Sequence, residues 1–206
     1  MSTTNTILKQ QIDYYRTRAT EYDEWFLRKG KYDRGSKLNA LWFAEVAQVK
    51  KELKQFNPKG NVLELACGTG WWTQELAKYA SHITAVDVAP EVIEMNHAKL
   101  QNKKVTYTQA DIFNWQPDDT YDVIFFSFWI SHIPPERFAS FWDLLRLTLK
   151  PNGRVFFIDN LRSETRKTDY QATTSIRTVK GGEQFTIVKI FYKPKELERR
   201  LEKLGW

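Results

Sequence analysis

The sequence has a single cysteine, Cys67, so no internal disulfide can form. It also lacks any apolar run approaching the roughly 20 residues that a membrane-spanning helix needs. Residues 1–10 are polar and have no apolar stretch of the kind that marks a secretory signal. Because disulfides are rare in reducing compartments, these absences favour a cytoplasmic protein with no membrane contact.

The composition is that of one globular domain. The 206 residues can bury a hydrophobic core, and hydrophobic and charged fractions of 42% and 27% are typical of a folded chain. A net charge of +6 would permit nucleic-acid binding, but acidic residues lie between most of the basic ones. We therefore interpret the charges as a solvated surface and do not expect a nucleic-acid partner. Nothing in the sequence indicates an oligomeric state.

Helical and strand patterns alternate along the chain. Residues 5–30 predict a broken helical segment, and residues 36–56 an amphipathic helix with Ser36 as its N-cap. The predicted strands are residues 62–65, 83–87, 105–109, 121–127 and 154–159, with helices between them. This alternation predicts an α/β fold with a doubly wound parallel sheet. A hairpin about Gly181-Gly182 and a last helix from Pro194 follow.

The strongest chemical signal is the loop of residues 64–70, Glu-Leu-Ala-Cys-Gly-Thr-Gly, between the first strand and the next helix. Its glycines let the backbone turn sharply and approach a ligand. Asp87 ends the second strand, where a carboxylate can accept both ribose hydroxyls of a nucleoside, and Asp111 follows the third. Because ligands of such sheets bind at the carboxyl ends of the strands, this order predicts a nucleoside site.

A nicotinamide-binding domain is the competing interpretation of the same loop. Its fingerprint requires a third glycine where this chain has Thr73, and the bulk of Trp72 would crowd a pyrophosphate. These two differences from the fingerprint weigh against a dinucleotide as the ligand.

In these motifs the sequence resembles class I S-adenosylmethionine (SAM)-dependent methyltransferases. Residues 64–70 match their first motif, Asp87-Val88 the second, residues 110–112 the third, and residues 121–124 the strand before the fourth. The match covers about residues 57–159. It implies a Rossmann-like fold, SAM as cofactor and S-adenosylhomocysteine (SAH) as product.

The resemblance also implies which residues bind the cofactor. Asp87 should hold the ribose, Asp111 and Ile112 the adenine, while Gly68 and Gly70 should line the methionine portion. The full set is Tyr15, Tyr22, Glu64, Ala66, Gly68, Gly70, Trp72, Asp87, Val88, Asp111, Ile112 and Ser127.

By the same resemblance, residues 1–206 form one methyltransferase domain in three parts. Residues 1–56 are expected to form an N-terminal helical lid, in which Tyr15 and Tyr22 close over the cofactor carboxylate. Residues 57–159 form the cofactor-binding core, and residues 160–206 a substrate-side segment. The family adds a sixth and a seventh strand after the last helix. This chain stops at Trp206, so we expect those strands to be absent or truncated.

The residues after the fourth and fifth strands should face the methyl group. His132 could be a general base or a structural histidine, and both roles stay open. Trp25 and Trp129 are candidate walls for an acceptor, although each could be ordinary core. Asp159 and Arg177 could contact polar groups of the acceptor, although Arg177 could be a surface charge.

The loop after the fourth strand narrows the acceptor class. Residues 127–130, Ser-Phe-Trp-Ile, differ from the Asn/Asp-Pro-Pro-aromatic motif of enzymes that methylate bases. Ser127 stands where metal-dependent catechol methyltransferases have an aspartate, so we expect no metal. We expect a small, apolar or aromatic metabolite of secondary metabolism, methylated on an amine or alkaloid-like nitrogen by preference and on oxygen next. The alternatives are a non-catalytic SAM-binding module and an RNA methyltransferase.

Overall fold

The computed structural model describes residues 3–160 and 173–206. Its first three helices are α1 (Thr3–Thr17), α2 (Ala19–Phe26) and α3 (Ser36–Phe56). The first two form the broken helical segment, and α3 has the bounds that the sequence predicts. Ser36 is not the N-cap, because the carbonyl oxygen of Gly35 already accepts a helical hydrogen bond from the amide of Asn39 at 3.0 Å.

Five parallel strands form the central sheet, in the order β3-β2-β1-β4-β5. The doubly wound parallel sheet is therefore confirmed. Its elements are β1 (Asn61–Leu65), α4 (Thr73–Leu76), β2 (His82–Asp87), α5 (Pro90–Leu100), β3 (Val105–Gln109), β4 (Tyr121–Ser127), α6 (Phe138–Thr148) and β5 (Leu149–Ile158).

Strand β4, an inner strand of the sheet between β1 and β5, contributes to both layers of the core. Phe125 packs against Trp72 on one face of the sheet, and Phe126 packs against Trp142 of α6 on the other. Successive side chains of a strand point to opposite faces, so a continuous apolar run lets β4 serve both layers. Leu53 of α3 belongs to the first layer. The two layers hold the carboxyl ends of the strands in place.

A separate hairpin follows the sheet. It consists of β6 (Thr174–Thr178) and β7 (Gln184–Val188), and α7 (Pro194–Glu202) comes after it. The hairpin pairs with neither edge of the five-stranded sheet, so a sixth and a seventh strand of that sheet are absent from the described residues. Instead β7 packs along α1, where Gln11 Oε1 accepts a hydrogen bond from the amide of Val188 at 3.0 Å. Residues 161–172 of the predicted substrate-side segment lie outside the described residues.

Among the described helices, none combines the length and the apolar character that crossing a bilayer requires.

Candidate active site

The loop after β1 has the backbone geometry of a close ligand approach. Ala66, Gly68 and Gly70 all have positive φ angles, of 51°, 53° and 90°. A Cβ on Gly70 would lie 2.4 Å from Oδ1 of Asn96, so only glycine fits there. The side-chain amide of Asn96 also donates to the carbonyl oxygen of Gly68 and to the hydroxyl of Thr73. This buried amide holds the loop in shape.

Asp87 lies beside this loop at the end of β2. Its Oδ2 accepts a hydrogen bond from the amide of Gly68, and its Oδ1 accepts one from the amide of Ala89, each at 3.0 Å. Burial raises the pKa of the Asp87 carboxyl, and these backbone bonds oppose that rise. A carboxylate oxygen has further lone pairs, so both oxygens can still accept ribose hydroxyls. The residues present therefore fit the nucleoside part of SAM.

A narrow cavity of about 50 Å³ lies between α1 and the ends of β1, β2 and β3. Its lining includes six of the predicted cofactor-binding residues, Tyr15, Ala66, Asp87, Val88, Asp111 and Ile112. Trp129, a predicted acceptor wall, also lines this cavity, together with Asp111 and Ile112, the residues predicted to hold the adenine. The predicted adenine and ribose residues thus line one cavity at the carboxyl ends of the strands, where ligands of such sheets bind.

Two predicted cofactor-binding residues lie in the core instead of lining that cavity. Trp72 is buried behind the glycine loop against Phe125. Glu64 is buried within β1, and burial raises the pKa of its carboxyl to about 8. Its Oε2 has no hydrogen-bond partner within the described residues.

The other four predicted residues lie near the loop. Gly68 and Gly70 form it, and Ser127 ends β4, opposite Ile158 of β5. Tyr22 of α2 packs against Trp25, whose ring in turn meets Phe128 at 5.2 Å. Trp25 therefore lies at the end of β4, as its predicted acceptor role requires.

Helix α2 is clamped to the glycine loop by Asp23, which sequence reasoning left without a role. Its carboxylate accepts hydrogen bonds from the Thr69 hydroxyl at 2.6 Å, the Trp71 indole at 2.8 Å and Lys99 Nζ at 2.7 Å. These bonds lower the pKa of Asp23 against the opposing effect of burial. Since the partners lie 46 to 76 positions away, no local pattern reveals the clamp.

His132 lies in a short 3-10 turn after β4, and both of its ring nitrogens have a hydrogen-bond partner. Its Nδ1 lies 2.7 Å from the carbonyl oxygen of Val188, and its Nε2 lies 2.9 Å from the hydroxyl of Tyr15. Burial, with the charge of Lys189, holds the pKa of His132 well below its usual range. The imidazole is therefore neutral, and its acceptor nitrogen is occupied by a tyrosine.

Lys189, which sequence reasoning missed, lies beside this histidine and is only 8% exposed. Its Nζ donates to Ser131 Oγ at 2.7 Å and lies 3.4 Å from His132 Nε2. Asp159 accepts hydrogen bonds from the amide and the hydroxyl of Ser131, and its Oδ1 is 3.9 Å from Nζ. Burial lowers the pKa of Lys189 to about 8, against the attraction of Asp159. A buried cation thus stands at the end of β5.

Two arginines also affect the pKa values of His132 and Lys189. The charges of Arg177 on β6 and Arg18 on α2's amino-terminal side both lower the pKa values of His132 and Lys189. Arg18 Nε is buried and has no hydrogen-bond partner within the described part of the chain. Within the described residues, Asp159 is the carboxylate whose charge raises the pKa of Lys189. Among those residues, three cations and one carboxylate therefore act on the region beside His132.

In residues 3–160 and 173–206, no three His, Cys, Asp or Glu side chains come together in a way that could hold a metal ion.

Comparison with known proteins agrees with this geometry. Residues 62–153 match the family described as "Methyltransferase domain". The solved DhpI-SAM-HEP complex is 34% identical, has a TM-score of 0.84, and is matched over 100% of this chain and 92% of that one. The chain belongs to the class I SAM-dependent methyltransferases. A second structure of DhpI, with SAH, matches this methyltransferase at 35% identity and a TM-score of 0.81, over 98% and 89% of the two chains.

Curated relatives match over shorter stretches. Malonyl-[acyl-carrier protein] O-methyltransferase of Bacillus cereus is 35% identical over 45% of this chain and 35% of the relative. Ubiquinone biosynthesis O-methyltransferase of Schizosaccharomyces pombe is 27% identical over 70% and 53%. The methyltransferase thus spans about a third to a half of the length of these relatives. The comparisons confirm the predicted family, its Rossmann-like fold and SAM as its cofactor.

Proposed function

We propose that this methyltransferase transfers the methyl group of SAM to an anionic oxygen of a small molecule, a carboxylate or phosphoryl group. The observation that carries the proposal is the convergence of three cations, Lys189, Arg18 and Arg177, on the region beside His132. A buried cation with few carboxylates around it favours an anionic ligand, which would restore local neutrality.

The charges weigh against the amine acceptor that the sequence analysis preferred. A protonated amine would lie beside the three cations and would need a base to remove its proton. His132 is a poor base here, because its pKa is lowered and Tyr15 occupies its Nε2. An oxyanion needs no base, so the environment of His132 suits it.

In this reaction an oxygen–carbon bond forms as the sulfur–carbon bond of the sulfonium breaks. SAM supplies the methyl group and a good leaving group, and it becomes the thioether SAH. The acceptor loses one negative charge and no proton moves. The chain contributes alignment and exclusion of water: Asp87 orients the ribose, Asp111 and Ile112 the adenine, and Lys189 with Arg177 the oxyanion.

The names of the relatives support oxygen as the methylated atom, since both curated relatives are O-methyltransferases. The DhpI complex is named with a third component, HEP, besides SAM. The cytoplasmic location, the role in secondary metabolism and the three-part division of the domain stay predictions.

An acceptor panel with labelled SAM tests the proposal. We expect methyl esters from small alkyl carboxylates, phosphates or phosphonates, and none from matched amines or phenols. Arg177→Gln should raise the KM of the acceptor and leave SAH affinity unchanged, whereas the exposed control Arg199→Gln should change neither. Turnover of amines alone would contradict the anionic acceptor. SAH binding without turnover of any acceptor would favour a non-catalytic binding module.

A further inference from the structure

The exposed side chains of α3 change from partly apolar in its first half to polar in its second half. Its second half, residues 48–56, carries lysine, glutamate and glutamine towards solvent, as an exposed helix does. Its first half exposes Leu38, Leu41 and Phe43, at 52%, 55% and 44%. At roughly 3.6 residues per turn, Leu38 and Leu41 lie on one side of the helix and Phe43 on another, so the exposed apolar patch consists of the two leucines.

This first half of α3 lies against little of its own chain. Leu53, in the second half, is the one buried residue of the helix. In the first half, Trp42 packs on Trp25 and Phe26 of α2 and donates from its indole to the carbonyl oxygen of Phe26 at 2.9 Å. The side of the helix that carries Leu41 has no covering element within the described residues.

The sequence around Leu41 is complementary to itself. The neighbours of Leu41 on the helix surface, three and four positions away, are Lys37, Leu38, Ala44 and Glu45. Neither Lys37 nor Glu45 forms an ion pair within the described residues. If two copies of α3 cross antiparallel about a two-fold axis at Leu41, Lys37 of each copy faces Glu45 of the other, and Leu38 faces Ala44.

We infer that the Leu41 face of α3 is the interface of a symmetric dimer, and that a second copy of this chain covers it. Under two-fold symmetry each pair of residues occurs twice, so one helix–helix contact pairs both charges and buries the leucines of both copies. The small side chain of Ala44 lets the helices approach closely enough for the leucines to pack. Binding of a different protein would not require α3 to be complementary to a second, antiparallel copy of itself.

Analytical ultracentrifugation across a micromolar concentration series tests the interface. The wild-type protein should sediment at twice its 24.4 kDa chain mass, and Leu41→Glu should sediment at the chain mass. The matched control is Leu147→Glu on α6, which replaces a leucine that is 79% exposed and lies outside α3. It should stay dimeric. A monomeric wild type, or a folded Leu41→Glu protein that remains a dimer, overturns the proposal.

Charge reversal tests the antiparallel register and leaves the leucines in place. Lys37→Glu and Glu45→Lys should each weaken the dimer by about ten-fold, because each puts two like-charged pairs in contact. Mixing the two variants should restore association, since a dimer of one copy of each variant regains two opposite pairs. A mixture that associates no better than the separate variants overturns the antiparallel two-fold arrangement. Circular dichroism verifies the fold of each variant.

Discussion

His132 Nδ1 lies 2.7 Å from the backbone carbonyl oxygen of Val188. A carbonyl oxygen only accepts hydrogen bonds, so Nδ1 carries the proton and Nε2 of the neutral ring is the acceptor. That acceptor is already filled by the Tyr15 hydroxyl at 2.9 Å. The histidine therefore links β7 to α1, and we infer a positioning role for it.

The first prediction concerns this role of His132. Replacing it with asparagine keeps a donor towards Val188, and we expect kcat/KM to fall less than about ten-fold, against 10²–10⁴-fold for loss of a general base. The wild-type pH profile, with an acceptor that stays ionised, should show no inflection near the ordinary imidazole pKa of about 6.5. If kcat/KM instead fell below about pH 6.5 in the wild type and this fall disappeared in His132→Asn, His132 would be the general base.

The second prediction uses the pKa of Lys189, which burial lowers to about 8. The ammonium binds an oxyanion and the neutral amine does not, so kcat/KM for the acceptor should fall as pH rises through about 8. Lys189→Arg should remove this fall of kcat/KM at high pH, because a guanidinium stays protonated. Lys189→Met should lower kcat/KM about 10–100-fold, the usual range for a charge-assisted hydrogen bond.

Calorimetry with SAH provides the control for this series. Its affinity should be equal in wild type, Lys189→Arg and Lys189→Met, because Lys189 contacts none of the residues assigned to the nucleoside. A parallel loss of SAH affinity would place Lys189 in the cofactor site and remove the acceptor role.

The sequence signals for the cofactor half of the site are local, and six of the residues predicted from them line one cavity. A glycine loop after a strand, and an acid at the end of the next strand, specify β1, β2 and Asp87 through backbone geometry alone. The near-continuous apolar run of residues 121–127 specifies a central strand for the same reason.

The acceptor half depends on contacts that no local pattern encodes. Lys189 is 58 positions from Ser131, and the segment after β7 meets the turn after β4 only in the folded chain, where the amide of Ile190 donates to the carbonyl oxygen of Ser131. Trp129 lines the same cavity as Asp111, and the chain turns sharply just before it, where Phe128 has a φ of 54°. Left-handed backbone is rare for a phenylalanine, and the sequence gives no sign of it.

The third prediction concerns the clamp at Asp23. Asp23→Asn keeps the shape of the side chain and loses the charge that holds Lys99, Thr69 and Trp71. Helix α2 should then detach more readily, and we expect about ten-fold weaker SAH binding by calorimetry. Asp143→Asn, a largely exposed aspartate on α6, is the control and should bind SAH normally. Unchanged affinity in Asp23→Asn would mean that the clamp does not support the cofactor site.

The last prediction concerns stability and the buried carboxyl of Glu64. Burial raises its pKa from 4.5 to about 8 in the folded protein. Between these two values the folded state binds more protons than the unfolded state, so this group lowers the free energy of unfolding as pH rises. Its contribution is fully present below about pH 4.5 and falls by a few kcal/mol up to about pH 8.

Glu64→Gln separates this effect from other titrating groups, since a glutamine is neutral at every pH and matches the protonated acid in shape. In urea unfolding, the variant should be close to wild type at pH 5 and more stable than wild type at pH 8. The sign follows from the burial of Glu64, because ionisation would place a charge in the core whose Oε2 has no hydrogen-bond partner within the described residues, with only the hydrogen bond of Thr73 to oppose the cost. A constant difference between the two proteins from pH 5 to 8 would mean that Glu64 ionises normally in the fold.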